Sequence, residues 1–447
     1  MVDSPSKLTI IMEMFFSVSG LRGVVGRDLT ADVVRKHLKG FYKAISGRRV
    51  GVGRDSRQDS EDLANLCIET LKSFGCDVFD IGITPTPTVL YIVRKEDLDG
   101  GIIVTASHNP YPYNGLKFVQ RGGRFFFYSE IKGIPEGGDV PSGTGKVKKI
   151  EGGRIHVNEI LKYPVIESDC GLRVGVDPVN GAGCEIIKRL LEQMECEVFA
   201  INDQPTGLFN RPPEPTRPAL GALGHLVKEQ RLDLGIALDP DGDRLSIVTE
   251  NGEPIGEEYT LPIIGREYLR QKRGPVVVNL STSRMIEAVV KEYNLPFYRT
   301  RVGEANVVEK MIEVDAVFGG EGNGGVIIPE FNLTRDAIFG AAFLLSILKR
   351  NQIRVSDLIQ PLPRLVMRKE RLSINMRHWK RLRNLIRREF IGDKDQRDGI
   401  WVSNERIWLH VRPSRTEPVI RLIVEGEEEG IVEDAIERIS KIVRSLG

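Results

Sequence analysis

A chain of 447 residues, 41% apolar and 28% charged, is too long for one compact core, and at ~150 residues per domain it divides into about three domains or four smaller ones. Its 63 lysines and arginines against 62 aspartates and glutamates leave a net charge of +1, which speaks against nucleic acid as a partner. The five cysteines (Cys67, Cys76, Cys170, Cys184 and Cys196) form no CxxC pair, so neither a zinc knuckle nor a disulfide framework is indicated, and reduced thiols in a cytoplasmic protein are expected.

At the N-terminus, Leu8 to Ile11 and Phe15 to Val18 are apolar, but Glu13 interrupts them and no small-residue cleavage site follows. Neither a secretory signal nor a membrane span is expected. Met12 and Met14 are alternative starts that would make the first dozen residues a dispensable tail.

Three later segments share one rhythm of β-branched run, small-residue turn, helical pattern and second β run. The first runs from Arg49 to Asp55, Ser60 to Phe74 and Asp77 to Ile81. The second takes Leu172 to Asp177, Gly183 to Met194 and Glu197 to Ile201, and the third Pro275 to Leu280, Ser283 to Tyr293 and Pro296 to Thr300. Strands alternating with helices of this length indicate βαβ units. A period near a hundred residues is too long for a solenoid, so the reading is three tandem related α/β domains with mixed sheets. Gly133 to Gly153, rich in glycine, proline and lysine, reads as a surface loop or hairpin closing the first domain. Asn251 to Pro254 and Pro361 to Pro363 mark later breaks, and a smaller α+β domain follows. There Trp379 to Phe390 and Glu429 to Leu446 read as helices, with Arg406 to Val411 and Val419 to Glu425 as strands. The expected domains are residues 1–155, 156–254, 255–362 and 363–447.

Chemistry concentrates in four loops. Thr105-Ala-Ser-His-Asn-Pro110 follows the apolar run Gly101 to Val104, which puts Ser107 at the carboxyl end of a buried strand, where open α/β sheets bind ligands. Lys117, in Asn114-Gly-Leu-Lys117, is close enough in sequence to fold back on Ser107 as an acid/base, with a pKa lowered by cations such as Arg22 or Arg244. Asp239-Pro-Asp-Gly-Asp-Arg244 follows the strand-like Leu234 to Leu238, and alternate aspartates in such a loop converge on one hard cation. A calcium loop would also place Glu250 at its twelfth position, but Arg244 stands where that loop needs glycine. Gly319-Gly-Glu-Gly-Asn-Gly-Gly325, after Ala316 to Phe318, lets backbone approach a ligand and offers Glu321 and Asn323 to sugar hydroxyls. Arg412-Pro-Ser-Arg-Thr-Glu-Pro418 gathers two guanidiniums and two hydroxyls, a dianion clamp. Asn180-Gly-Ala-Gly183 and Gly51-Val-Gly-Arg54 lack the third glycine and distal acid of a dinucleotide fingerprint and read as tight turns.

Taken together, the four motifs resemble those of the α-D-phosphohexomutases, from about Ser19 to the C-terminus. The resemblance implies four domains around a central cleft and interconversion of hexose 1- and 6-phosphates through a phosphoserine at Ser107. It implies magnesium held by Ser107, Asp239, Asp241 and Asp243, and a hexose 1,6-bisphosphate as intermediate and activator. Lys117 would serve as general acid/base, with His108, Arg244 and Arg22 (in Ser19-Gly-Leu-Arg-Gly23) beside the reacting group. Glu321 would read the sugar, and Arg412, Ser414, Arg415 and Thr416 would grip the phosphate that is not reacting. The partners implied are small-molecule sugar phosphates, with no nucleic acid and no membrane. Two departures stand out. The mannose/glucose branch usually reads Gly-Glu-x-Ser-Gly-His where this chain has Gly320-Glu-Gly-Asn-Gly-Gly325, a version similar to archaeal members often assigned to glucosamine phosphate. Arg415 stands where glycine or asparagine is usual. A metal-dependent phosphohydrolase using Ser107, or a non-catalytic sugar-phosphate sensor, are the alternatives; neither accounts for all four motifs.

Overall fold

The computed structural model describes residues 15–17, 20–45, 47–414 and 419–446. The β-branched runs form strands and the intervening patterns form helices, giving Arg49–Arg54, Ser60–Ser73 and Asp77–Ile83 in the first segment. The second gives Arg173–Asp177, Cys184–Gln193 and Glu197–Ala200, and the third Val276–Asn279, Arg284–Glu292 and Phe297–Thr300. The repeat is topological as well. In each, the first strand lies between the second and a third parallel strand, and the chain then reverses into an antiparallel fourth. The third and fourth strands are Gly100–Val104 and Tyr113–Gln120, then Leu234–Leu238 and Leu245–Val248, then Phe318–Glu321 and Gly325–Ile327. The Ser107, aspartate and Glu321 motifs therefore occupy one equivalent position, the reversal at the carboxyl end of each third strand. That is where unpaired strand ends and loop N–H groups are free for a ligand.

The first sheet also carries Gly20–Val24 beside Tyr113–Gln120 and the edge strand Val147–Lys149, parallel to Asp77–Ile83. The segment from Gly133 to Gly153 is thus not a plain loop or hairpin. It holds a 3-10 turn at Ile131–Glu136, that edge strand, and the start of a helix at Gly152–Leu161. The helix Ala337–Asn351 had no amphipathic signal because residues 337–348 are buried all round. It joins a continuous core shared by the second and third repeats, with Leu190, Ile236, Tyr268 and Phe318. Asp336 caps it, accepting from the Phe339 N–H at 3.1 Å.

Phe16–Pro363 form one compact unit, and the residues from Arg364 onward belong to a second. The latter has an antiparallel sheet in the order Val366–Ser373, Val419–Gly426, Ile407–Pro413, Ile400–Ser403 and Asp393–Asp395. Helices Trp379–Glu389 and Glu429–Arg444 cover it, burying Leu382, Ile386, Val432 and Ile439 against Leu409 and Leu422. Among the described residues no helix is long and apolar enough to cross a membrane.

Candidate active site

Ser107 is 2% exposed and sits at a φ of 51°, a left-handed conformation that costs a non-glycine residue roughly 1–2 kcal/mol. Arg57 holds the turn in that shape. Its Nη2 donates to the carbonyls of Ser107 at 2.5 Å and Asn109 at 2.6 Å, and its Nη1 to the carbonyl of Tyr113 at 3.2 Å. Asp55 anchors the guanidinium from below at 3.0 Å and also accepts from Ser60 Oγ and Thr105 Oγ1, both at 2.6 Å. Thr105 Oγ1 in turn accepts from the Ser107 N–H at 2.9 Å. Neither Asp55 nor Arg57 was singled out from the sequence, although both follow a strand's carboxyl end, the same signal that marked Ser107.

Ser107 leads to the aspartate loop through two side chains. Its Oγ lies 3.3 Å from His108 Nδ1, and Arg244 Nη2 lies 3.0 Å from that same nitrogen. Burial, reinforced by the Arg244 charge, pushes the His108 imidazole well below its usual range. Arg244 also pairs with Glu214 and brings its Nε within 3.7 Å of both Asp239 and Asp243. Arg22 donates to Asn109 Oδ1 at 2.6 Å. Its pKa is lowered to about 10, chiefly by burial and then by the neighbouring Arg244.

Asp239, Asp241 and Asp243 are fully buried, and one oxygen from each lies within 4.8 Å of the others. Burial, with Asp243 and Asp241 adding like charge, pushes the Asp239 carboxyl well above the usual range. Each aspartate already uses its other oxygen: Asp239 Oδ1 accepts the Asp243 and Arg244 N–H groups at 3.0 and 3.1 Å. Asp241 Oδ2 accepts from Thr86 Oγ1 and Lys117 Nζ, both at 2.6 Å, and Asp243 Oδ2 from Arg335 Nη2 at 2.6 Å. The three remaining oxygens are buried without a hydrogen-bond donor. Three hard, unsatisfied carboxyl oxygens in one buried cluster fit a small divalent cation. The turn at Asn180–Gly183 supports this loop, with the Ala182 N–H donating to the Pro240 carbonyl at 2.8 Å. Glu250 is engaged elsewhere, by Ser356.

Lys117 lies in the strand Tyr113–Gln120, paired opposite Ile103. The expected lowering of its pKa is not found. Burial does push it down, but the charges of Asp241 at 2.6 Å and Asp243 at 3.6 Å outweigh burial and raise it. The cation that most opposes them is Arg335, not one of the two named from sequence.

Glu321 is the last residue of a strand rather than part of a loop, and the glycines before it serve packing. A Cβ on Gly319 would meet the Val277 carbonyl at 2.4 Å, and one on Gly320, at a φ of 149°, the Gly325 carbonyl at 2.1 Å. Glu321 is held by Arg335 Nη1 at 2.9 Å, Asn279 Nδ2 at 2.6 Å and the Gly303 N–H at 3.0 Å. Despite burial, the Arg335 charge and the Asn279 hydrogen bond keep its carboxyl below the usual range. Asn323 Oδ1 is buried without a hydrogen-bond partner. In the C-terminal unit, Arg412 is the penultimate residue of the strand Ile407–Pro413 and the Ser414 N–H donates to the Val419 carbonyl at 2.8 Å, while Arg415 and Thr416 lie outside the described residues. Sequence reading also missed Thr86, Glu304 and Arg335, whose roles depend on residues far away along the chain.

Four family models match the chain in order. They are the phosphoglucomutase/phosphomannomutase alpha/beta/alpha domain I over residues 13–137, domain II over 155–252, domain III over 257–365 and the C-terminal domain over 380–442. A probable phosphoglucosamine mutase of Methanopyrus kandleri is 36% identical over 445 residues, covering 97% of this chain and 98% of that protein. A phosphoglucomutase/phosphomannomutase of Thermococcus kodakarensis is 32% identical, covering 94% and 96%. The crystal structure of a phosphoglucomutase/phosphomannomutase family protein from Burkholderia thailandensis superposes with a TM-score of 0.84 at 27% identity, over 96% of this chain and 98% of that one. Four domain models in sequence, with relatives above 30% identity along nearly the whole length, establish that the chain belongs to the phosphoglucomutase/phosphomannomutase family, the α-D-phosphohexomutases.

Proposed function

We propose that this phosphohexomutase interconverts hexose 1- and 6-phosphates with glucosamine phosphate as its preferred substrate, carrying the phosphoryl group on Ser107. The observation behind the mechanism is the buried aspartate trio with one unsatisfied oxygen apiece, joined to Ser107 through Arg244 and His108. Magnesium would be held by Asp239 Oδ2, Asp241 Oδ1 and Asp243 Oδ1 with an oxygen of the Ser107 phosphoryl group. Bound there, it supplies charge neutralisation to the transferring phosphoryl.

Ser107 gives its phosphoryl to the free hydroxyl of the bound hexose phosphate, forming a bisphosphate, and is rephosphorylated from the other end after the sugar turns over. Each transfer moves one proton between the sugar hydroxyl and Ser107 Oγ. Lys117, held by Asp241 and Asp243, is the group assigned to relay it. Arg244, Arg22 and His108 orient the phosphoryl oxygens, and Arg57 fixes the Ser107 turn. Glu321 and Asn323 are assigned to the sugar, and Arg412, Ser414, Arg415 and Thr416 to the non-reacting phosphate. The glucosamine preference draws on the relatives named probable phosphoglucosamine mutase, at 36% and 33% identity, and on the Gly-Glu-Gly-Asn-Gly-Gly loop.

A coupled assay comparing glucosamine, glucose and mannose 1-phosphates, with magnesium and a trace of the bisphosphate, tests this. Glucosamine 6-phosphate should form with the highest kcat/KM. Inorganic phosphate in place of any isomer would point to hydrolysis, and a preference for glucose or mannose would refute the sugar assignment.

A further inference from the structure

Position 325 is a glycine, and the structure shows what fills the space beside it. A Cβ placed on Gly325 falls 2.1 Å from Cδ and 2.8 Å from Cγ of Arg335. The stem of Arg335 therefore excludes any side chain at position 325 without rearrangement. From there its guanidinium reaches carboxylates on three separate segments. Nη2 donates to Asp243 Oδ2 at 2.6 Å, Nη1 to Glu321 Oε2 at 2.9 Å, and Nε to Glu304 Oε2 at 3.1 Å.

Each anchor is itself fixed. The other Glu304 oxygen accepts from Thr334 Oγ1 and the Arg335 N–H, and the other Glu321 oxygen from Asn279 and the Gly303 N–H. Arg335 is only 7% exposed, so these charge-assisted bonds are formed largely out of water, where they are strong. A planar guanidinium can bridge two carboxylates at a fixed separation; a single ammonium cannot do so with the same geometry.

We infer that Arg335 is a positioning residue that couples cation binding to sugar binding. By engaging Asp243 Oδ2 it leaves only Oδ1 for the cation, and by engaging Glu321 Oε2 it sets which lone pairs of that carboxylate face a sugar. Fixing either carboxylate therefore fixes the other. This rests on the cation and sugar assignments proposed above. It goes beyond them in giving the two sites one shared determinant, in the space beside Gly325.

The test is manganese binding, measured by calorimetry with and without glucosamine 6-phosphate, on the whole wild-type chain and on Arg335→Ala and Arg335→Lys. Wild type should bind manganese at least about fivefold more tightly when the sugar phosphate is present, within the usual range of coupling between sites. Both variants should lose most of that enhancement, and Arg335→Lys should do so even though it keeps the charge. If Arg335→Ala does not fold, as judged by circular dichroism, Arg335→Lys carries the test. The same enhancement in a folded variant overturns the inference, as does wild type that binds manganese without enhancement. Wild type that binds no manganese overturns the cation assignment itself, and this inference with it.

Discussion

Replacing Arg57 with methionine separates positioning of the phosphoryl carrier from binding of the sugar. The guanidinium is 5% exposed and makes four hydrogen bonds, to Asp55 and to the carbonyls of Ser107, Asn109 and Tyr113. Breaking a buried ion pair from one side costs about 3–5 kcal/mol. Asp55 keeps the Ser60 and Thr105 hydroxyls and the Arg57 N–H as donors, so the lower end, about 3 kcal/mol, is expected in urea denaturation. The catalytic effect is separate. Without the clamp, Ser107 can relax from its φ of 51°, and a shift of about 1 Å in a reacting atom costs ~100-fold in rate. Steady-state kinetics in the coupled assay should show kcat reduced ~100-fold with KM within about twofold, and Arg57→Lys should recover part of kcat. A folded Arg57→Met variant that loses the stability but keeps wild-type kcat would refute the positioning argument and leave Arg57 a structural residue.

Three further outcomes follow from the buried titratable groups. Asp239→Asn should raise stability in EDTA, because the like charges of Asp241 and Asp243 no longer face a third carboxylate. The same variant should lose the thermal stabilisation that magnesium gives wild type. His410 is buried, its Nε2 lies 2.6 Å from the Asp398 carbonyl, and burial lowers its pKa from 6.5 to about 4. The unfolded chain takes up that proton first, so this contribution is whole above pH 6.5 and falls away as pH drops toward 4. Between pH 7.5 and 5 this group should cost wild type about 2 kcal/mol in urea denaturation, and the difference should be smaller in His410→Gln. Burial pushes the Cys67 thiol up to about 12, and Cys170 and Cys184 likewise. A disulfide exchange reagent should therefore label native protein at most at half-buried Cys196, and all five cysteines after unfolding.

The strands were readable because the β-branched runs in the three repeats are short and bounded by small residues. Ser107 and the aspartates were readable because each motif follows such a run. Ala337–Asn351 was not, since a helix buried on every side has no period to detect. The role of Gly319 and Gly320 was misjudged for a related reason. Neighbouring carbonyls, not a ligand, exclude their side chains, and only the folded sheet brings those carbonyls near. The direction of the Lys117 shift depended on which charges lie nearest; Asp241 is 124 residues away in sequence. Arg335 has no local signal at all, because its meaning lies in three carboxylates drawn from a loop, the start of a helix and the end of a strand.

The central claim, that Ser107 carries the phosphoryl group between sugar positions, is tested most directly by incubating the protein with glucose 1,6-bisphosphate labelled in its phosphates. Digestion and mass spectrometry should find the label on the peptide containing Ser107. Chasing with unlabelled glucosamine 1-phosphate should move it into sugar phosphate, with Ser107→Ala neither labelled nor active. Label on another residue, isomer formation by Ser107→Ala, or release of the label only as inorganic phosphate would contradict it.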